Sequence, residues 1–276
     1  MKFTKMQGAG NDYVYINCFE EQFPENPAEL VRQMSDRHFG VGSDGMIFIC
    51  PSTVADFEMV MFNSDGSRAQ MCGNGIRCVG KFVYDKGLTD KDVITVDTLA
   101  GIKTLELNVI DGKVKTVRVN MGKPILDPAL IPIDYQGDQY INRPLSIDGV
   151  DWFVTGVSMG NPHIVTFLPN IKDLDLINIG PKFELHPTFP ERTNTEFAII
   201  IDRHTIEMRV WERGSGETLA CGTGTCATLV AAVLNGLTER RAHIHLLGGT
   251  LEIEWDEATD FVYMTGPAET VFEGEI

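Results

Sequence analysis

Short runs of alternating apolar and polar residues dominate this chain. Such alternation predicts β-strands with one face in a core and one face in water, which is typical of antiparallel sheets. The clearest predicted strands cover residues 13–16, 46–49, 93–96, 114–119 and 205–210.

Three helices are predicted between these strands. Two follow glycine-rich turns, at residues 75–84 and 223–234, and each ends at a glycine two or three positions later. The second of them is apolar almost all round, which favours a helix buried inside a curled sheet. A further helix is expected at 27–37, with Asn26 as its N-cap and Pro27 in its first turn.

The pattern repeats once along the chain. Cys221 lies 149 positions after Cys72, and Gly160-Asn161 lies 150 positions after Gly10-Asn11. Phe62-Asn63 and Trp211-Glu212 also correspond, because the first residue of each pair lies ten positions before its cysteine and the second lies nine. Three matches in one order predict two similar halves, related by a pseudo-two-fold axis.

The turn-forming residues 121–124 mark the boundary between these halves. We expect one domain at 1–121, carrying Cys72, and a second at 122–265, carrying Cys221. The tail at 269–274 is predicted to form a strand that returns to the first half, so that residues from about 266 to 276 complete the first domain.

Composition and charge narrow the classes of function. The net charge is −16, from 23 basic and 39 acidic residues, which argues against nucleic acid or an anionic membrane as a partner. The first residues lack the apolar core of a signal peptide, and no apolar run reaches the roughly 18 residues that span a bilayer. We therefore expect a cytoplasmic protein whose six cysteines are free thiols.

Two of these cysteines stand at the start of predicted helices. A helix N-terminus presents unpaired N–H groups and partial positive charge, so it holds anions and is expected to lower a cysteine pKa. One thiolate and one thiol can move a proton from one face of a carbon to the other. The first-turn amides of Gly73, Asn74, Gly222 and Thr223 could stabilise a carboxylate on that carbon.

This scheme needs no cofactor, and no phosphate-loop, dinucleotide-binding or HExxH motif is present. Metal binding is not expected either, because neither cysteine has the close CxxC spacing of structural zinc sites. A single cysteine before a glycine-rich turn is more often a small buried residue than a catalyst. The duplication favours catalysis at Cys72 and Cys221, whereas Cys18, Cys50, Cys78 and Cys226 are expected to serve packing.

The motifs around both cysteines resemble those of the diaminopimelate epimerases. The first half carries Asn63-Ser64-Asp65-Gly66-Ser67 and then Cys72-Gly73-Asn74-Gly75-Ile76-Arg77. The second carries Gly160-Asn161-Pro162-His163, Phe189-Pro190-Glu191-Arg192-Thr193-Asn194 and a run from Trp211 to Thr218 that leads into Ala220-Cys221-Gly222-Thr223-Gly224. These landmarks cover nearly the whole chain.

The resemblance implies a cofactor-independent cytoplasmic enzyme, commonly a homodimer, that interconverts LL- and meso-2,6-diaminopimelate on the route to lysine and peptidoglycan precursors. It implies an α/β (α+β) architecture of two pseudo-symmetric domains, each a curled, mostly antiparallel sheet around a central helix, with the site in the interdomain cleft.

The resemblance also implies roles for individual residues. Cys72 and Cys221 would be the acid/base thiols, and His163 and Glu212 would tune their pKa values. The substrate-binding residues would be Asn11, Asn63, Gly73, Asn74, Asn161, Asn194, Glu212, Arg213, Gly222 and Thr223. Taken singly, His163 is typical of a structural histidine, and Glu212 and Arg213 of a solvated strand edge. Only the joint pattern favours a site.

Two other functions remain open on sequence grounds. A proline or hydroxyproline racemase also uses two cysteines, but those enzymes typically carry His where this chain has Asn74. A non-catalytic thiol protein, such as a redox sensor or a binding module, would be unaffected in activity by cysteine replacement. Two positions depart from many epimerases: Trp211 stands where Tyr is common, and Gly45 where some have Gln, so Gly45 is given no role.

Overall fold

The computed structural model describes residues 1–276, which form eighteen strands and four helices. The predicted α+β fold class is confirmed, with strands in the majority. The chain divides into two compact units. Unit 1 comprises Met1–Asn120 and Thr265–Ile276, and unit 2 comprises Met121–Met264.

Unit 1 is built on a sheet that runs in the order β18-β1-β2-β3-β4-β6-β7-β8. Neighbouring strands are antiparallel except for β2–β3 and β4–β6, and the short β5 pairs with β4. The elements are β1 (Lys2–Gly8), β2 (Asn11–Asn17), α1 (Pro27–Ser35), β3 (Gly45–Cys50), β4 (Phe57–Asn63), β5 (Arg68–Ala69), α2 (Gly73–Asp85), β6 (Val93–Asp97), β7 (Lys103–Ile110), β8 (Lys113–Gly122) and β18 (Glu269–Glu275).

Unit 2 repeats this topology in the order β9-β10-β11-β12-β13-β15-β16. Its two parallel pairs, β11–β12 and β13–β15, fall at the places that β2–β3 and β4–β6 occupy in unit 1. The elements are β9 (Arg143–Ile147), β10 (Val150–Ser158), β11 (Pro162–Phe167), α3 (Leu176–Glu184), β12 (Asn194–Asp202), β13 (Thr205–Glu212), β14 (Gly216–Thr218), α4 (Gly222–Leu234), β15 (Arg241–Leu246) and β16 (Gly249–Trp255). The chain returns to unit 1 within β17 (Val262–Pro267).

A buried helix lies inside each sheet. α2 contacts the neighbouring strands β1 and β2 and also β7, which β3, β4 and β6 separate from them in the sheet, so the sheet of unit 1 curls around the helix. α4 likewise contacts β10, β11, β12, β15 and β16. Ten of its thirteen residues are buried, as its uniformly apolar sequence predicts.

Both buried helices begin earlier than predicted, directly after the two cysteines. The reason is that each cysteine caps its own helix with Sγ, so Gly73 and Gly222 are already the first helical residues. Each ends near its predicted glycine, which takes a left-handed conformation with φ of +73° at Gly87 and +70° at Gly236.

The remaining helices show one partial and one missed prediction. α1 starts at Pro27 as predicted, with Asn26 Oδ1 accepting from the amide of Glu29, but it ends at Ser35 rather than at 37. Asp36 stops it by turning extended and accepting from the amides of His38 and Phe39. α3 was not predicted from the sequence, and it contains Pro181 in its interior.

The predicted C-terminal strand is present as β18, which pairs antiparallel with β1. None of the four helices is long and apolar enough to cross a membrane.

Candidate active site

Cys72 is the N-cap of α2. Its Sγ accepts a hydrogen bond from the amide of Gly75 at 3.3 Å, and its thiol donates to Oδ1 of Asn11 at 3.0 Å. The thiol is half-buried. An amide and a helix N-terminus therefore face the sulfur, and both favour negative charge there.

Asn11 is held in place by a carboxylate behind it. Its Nδ2 donates to Oδ2 of Asp44 at 2.6 Å, which also accepts from the amide of Asp12 at 3.1 Å. This leaves Oδ1 of Asn11 turned toward Cys72. Gly10, just before it, has φ of +83°, a left-handed turn conformation that suits glycine.

Charged pairs anchor this end of β2. Arg37 contacts a carboxylate oxygen of Asp12 and one of Asp44, both at 2.8 Å, and Lys5 pairs with Asp12 at 2.5 Å. Burial opposes ionisation of Asp12, but the hydrogen bonds from Arg37 and Lys5 outweigh it and lower the pKa of that carboxyl. Asp12 is therefore ionised and holds Lys5 and Arg37 in place.

Tyr13 lines the same site from β2. Burial raises its pKa well above the usual value, and the negative charge of a Cys72 thiolate or of Asp44 raises it further. The phenol therefore stays neutral beside Cys72, able to donate a hydrogen bond.

The first turn of α2 is fixed from inside by Arg77, which is fully buried. Its guanidinium donates to Oδ1 of Asn74 at 2.9 Å, to the carbonyl of Gly73 at 3.2 Å and to the carbonyl of Pro267 at 3.1 Å. The amides of Gly73 and Asn74 thus belong to a rigid turn.

Cys221 occupies the same position on α4. Its Sγ accepts from the amide of Gly224 at 3.4 Å, as Cys72 does from Gly75, and it lies 3.5 Å from Oγ1 of Thr223. Unlike Cys72, it is buried.

The expected lowering of a cysteine pKa is wrong for Cys221. Burial raises its pKa well above the usual value, and the charges of Glu212 and Glu196 raise it further. Hydrogen bonds from Thr223 and Gly224 act in the other direction but are outweighed. The helix N-terminus is present, but desolvation and two acidic neighbours prevail, so Cys221 stays a thiol near neutral pH.

Glu212 lies at the end of β13, beside Cys221. Its carboxylate accepts from Oγ1 of Thr218 at 2.5 Å. Burial raises its pKa, opposed by hydrogen bonds from Thr218 and Cys221. The structure therefore places Glu212 beside Cys221, one of the two thiols whose pKa values Glu212 and His163 were expected to tune.

His163 is sealed inside unit 2. Its Nδ1 lies 2.7 Å from Oε1 of Glu196 on the parallel strand β12, and its Nε2 lies 3.1 Å from Oδ1 of Asn161. Neither His163 nor Glu196 has exposed side-chain surface. The ring is therefore held at both nitrogens, by the carboxylate on one side and the amide on the other.

The remaining predicted residues lie at strand ends. Asn194 accepts from the amide of Arg213 at 2.9 Å, which joins these two residues, while the Arg213 guanidinium is exposed and donates to the carbonyl of Glu191. Asn63 is exposed at the end of β4 and donates to Oγ of Ser67.

Sequence reasoning missed Tyr13, Asp44 and Glu196. Glu196 could have been found from the sequence, because it is the one charged residue in the otherwise neutral stretch 193–201. That stretch contains the buried first half of β12. An acidic residue in such a strand marks a buried polar contact. Tyr13 and Asp44 gave no comparable signal, since both types are common at strand ends.

The geometry permits acid/base chemistry at two thiols of different character. Cys72 is half-buried, with amide and helix-dipole contacts that favour a thiolate, and Cys221 is buried among acids that favour a thiol. Each stands beside first-turn amides that suit an anion.

Comparison with known proteins bears on the whole chain. The diaminopimelate epimerase family model matches residues 3–126 and 155–271. A diaminopimelate epimerase from Acetivibrio thermocellus is 61% identical over 276 residues, covering 100% of this chain and 98% of that protein. One from Methanococcus maripaludis is 56% identical, with 100% and 99% covered.

Solved structures of low sequence identity share the fold. A hydroxyproline epimerase from Agrobacterium vitis superposes with a TM-score of 0.69 at 12% identity, covering 100% of this chain and 90% of that one. A phenazine biosynthesis protein of the PhzF family from Bacillus anthracis gives 0.70 at 16%, with 100% and 98% covered. At such identities the likeness concerns architecture alone.

Proposed function

This chain belongs to the diaminopimelate epimerase family and is an isomerase of the epimerase type, and from that premise we propose its mechanism. It interconverts LL- and meso-2,6-diaminopimelate by a two-base transfer at the α-carbon, without a cofactor. Cys72 and Cys221 are the two bases, one supplied by each unit. The thiolate removes the α-proton from one face, and the thiol delivers a proton to the other.

The observation that carries this proposal is the shared position of the two cysteines. Each is the N-cap of its unit's buried helix, and each sulfur accepts from the amide three residues later, at Gly75 or Gly224. A fold needs no cysteine to cap a helix, since Ser, Thr, Asn and Asp are the preferred caps. Thiols at both positions therefore support a chemical rather than a structural role.

The unequal surroundings of the thiols support a division of labour. A two-base reaction needs one thiolate and one thiol at the start of each turnover. Burial and the charges of Glu212 and Glu196 keep Cys221 protonated, so we assign it the acid. Cys72, which is more exposed and faces the amide of Gly75, is the base in that starting state.

The first-turn amides would hold the carboxylate on the reacting carbon. These are the amides of Gly73 and Asn74 at α2 and of Gly222 and Thr223 at α4. As the α-proton leaves, negative charge spreads onto that carboxylate, and fixed donors stabilise it.

The other end of the substrate carries a second amino-acid group that must be bound without reacting. We propose that Arg213 binds its carboxylate, and that Asn194, which accepts from the Arg213 amide, positions that residue. Asn11, Asn63 and Asn161 would contact the substrate with their amides, and His163 and Glu212 would tune the thiols.

The test is turnover of LL-diaminopimelate in deuterated water by the purified, reduced enzyme. A two-base reaction places solvent deuterium at the α-carbon of the product while recovered substrate stays unlabelled early in the reaction. Cys72→Ala and Cys221→Ala should each lower kcat at least about 100-fold.

Cys18→Ala is the matched control, because it removes a partly exposed thiol outside both helix N-termini and should leave kcat unchanged. L-proline serves as the control substrate. Epimerisation retained in either catalytic variant, or equal early labelling of substrate and product, would contradict the two-thiol mechanism.

A further inference from the structure

Glu196 is a carboxylate with no access to solvent. It lies on β12, with Oε1 2.7 Å from Nδ1 of His163, and its other oxygen, Oε2, is buried without a hydrogen-bond partner. A half-satisfied buried carboxylate costs stability that an apolar residue of similar size would not. Its presence therefore calls for a role other than stability.

The same carboxylate presses against the helix that carries Cys221. A Cβ placed on Gly224 would lie 2.4 Å from Oε1 of Glu196 and 3.1 Å from its Cδ. Gly224 is the residue whose amide donates to the sulfur of Cys221. The negative charge of Glu196 therefore lies against the first turn of α4, where it opposes the partial positive charge of the helix N-terminus.

Unit 1 has no charge at the equivalent place. There the closest atom to a Cβ on Gly75 is Cδ1 of Ile47, at 2.7 Å, and Ile47 precedes Glu196 by the same 149 positions that separate the cysteines. The counterpart of His163 is Tyr13, 150 positions earlier. The repeat has therefore kept the packing and placed an acid, paired with a histidine, against the first turn of only one of the two buried helices.

We propose that Glu196 is a positioning residue that holds the ring of His163 and keeps a negative charge against the first turn of α4, so that Cys221 rests as the acid of the pair. This rests on the proposed function only for the role of Cys221 as the catalytic acid. The effect on the protonation of the Cys221 thiol does not depend on the reaction. Glu196 touches no reacting atom, and it acts through His163 and the helix turn.

Other charges near Cys221 are few. Glu212 of β13 is hydrogen-bonded to the thiol, and His163 of β11 contacts Glu196 and acts on Glu212. On β15 and β16, which also pack on α4, Arg241 and His243 both contact Glu252, and Glu254 acts on Arg241. Removal of the Glu196 charge is therefore not masked by them.

The experiment measures how fast iodoacetamide alkylates Cys221 as a function of pH. Residues 214–240 form one tryptic peptide that holds both Cys221 and the fully buried Cys226, and fragmentation separates the two sites. Only thiolates react, so the midpoint of the rate profile reports the protonation of Cys221.

Glu196→Gln keeps the shape and a hydrogen-bond acceptor for His163 but removes the charge. We expect it to shift the midpoint down by about 1 pH unit. Glu196→Asp keeps the charge, so its midpoint should lie close to that of the wild type, although the shorter side chain holds His163 less firmly. In the epimerase assay, Glu196→Gln should shift the pH profile of kcat/KM in the same direction and change KM less than kcat.

Glu184→Gln is the matched control. Glu184 is also a buried carboxylate of unit 2, but it accepts from Nε1 of Trp211 and the amide of Gly214 instead of facing α4. Glu184→Gln should lower the free energy of unfolding without shifting the midpoint pH of Cys221 alkylation. A Glu196→Gln midpoint equal to that of the wild type would overturn the proposal. A shifted midpoint in an enzyme that does not epimerise diaminopimelate would uphold it and refute the proposed function instead.

Discussion

The third residue of each buried helix offers a matched pair of substitutions, Gly75→Ala and Gly224→Ala. Both glycines donate their amide N–H to the capping cysteine, and a Cβ placed on either would lie 3.3–3.4 Å from the Cβ of that cysteine. They differ in what a new methyl group would meet. The nearest atom to the new methyl group would be the terminal methyl carbon of Ile47 at Gly75. At Gly224 it would be an oxygen of the hydrogen-bonded Glu196 carboxylate.

The two collisions have different costs. Cδ1 of Ile47 can rotate away, so Gly75→Ala carries an overpacking cost of about 1–3 kcal/mol, offset by about 1 kcal/mol of better helix propensity. Glu196 must retreat by more than half an ångström, which breaks its 2.7 Å contact with His163. Leaving a buried carboxylate without its hydrogen-bond partner costs about 3 kcal/mol or more. We expect losses of about 1 kcal/mol for Gly75→Ala and at least about 3 kcal/mol for Gly224→Ala.

Urea unfolding measures both losses, and the placement of tryptophan separates the units. Trp152, Trp211 and Trp255 are the three tryptophans of the chain, and all lie in unit 2. Fluorescence therefore reports the unit that contains Gly224, while far-UV circular dichroism reports both. Equal free energies of unfolding for the two variants would refute the argument, because it depends on a fixed carboxylate at one site and a mobile methyl at the other.

Further predictions concern the ionic contacts of unit 1. Asp12→Asn should lower the free energy of unfolding by about 2 kcal/mol at pH 7, because Asp12 loses its charged hydrogen bonds to Arg37 and Lys5. The pKa of Asp12 is lower in the folded chain than its ordinary 3.8, so this stabilisation is full above that pH and is lost as the pH falls through the folded value. Urea unfolding of variant and wild type should converge below pH 3.8, and a constant difference would contradict the assignment. Arg77→Met should cost about 3 kcal/mol and speed hydrogen exchange in the first turn of α2, whereas Arg118→Met, at a surface pair with Glu106, should cost less than about 1 kcal/mol.

Local patterns were read correctly where one residue type decides the outcome. The Asn26 cap and Pro27 start of α1, the buried character of α4 and the glycines that end α2 and α4 all follow from short-range chemistry. The end of α1 did not, because Asp36 captures two downstream amides, a choice that depends on the loop path. α3 was missed because Pro181 and Gly180 disguise its period, while packing of Leu176 and Phe183 in the core stabilises it.

The sequence by itself determined that two cysteines begin two helices and that the halves repeat, because capping and periodicity are local properties of the chain. Only the tertiary structure decided how each thiol is ionised. A pKa depends on burial and on charges brought in from other strands, and Glu196 lies 25 residues before the cysteine that it affects. Cys72 and Cys221 are equivalent in the sequence repeat, and the packing of β11 and β12 around one of them makes them different.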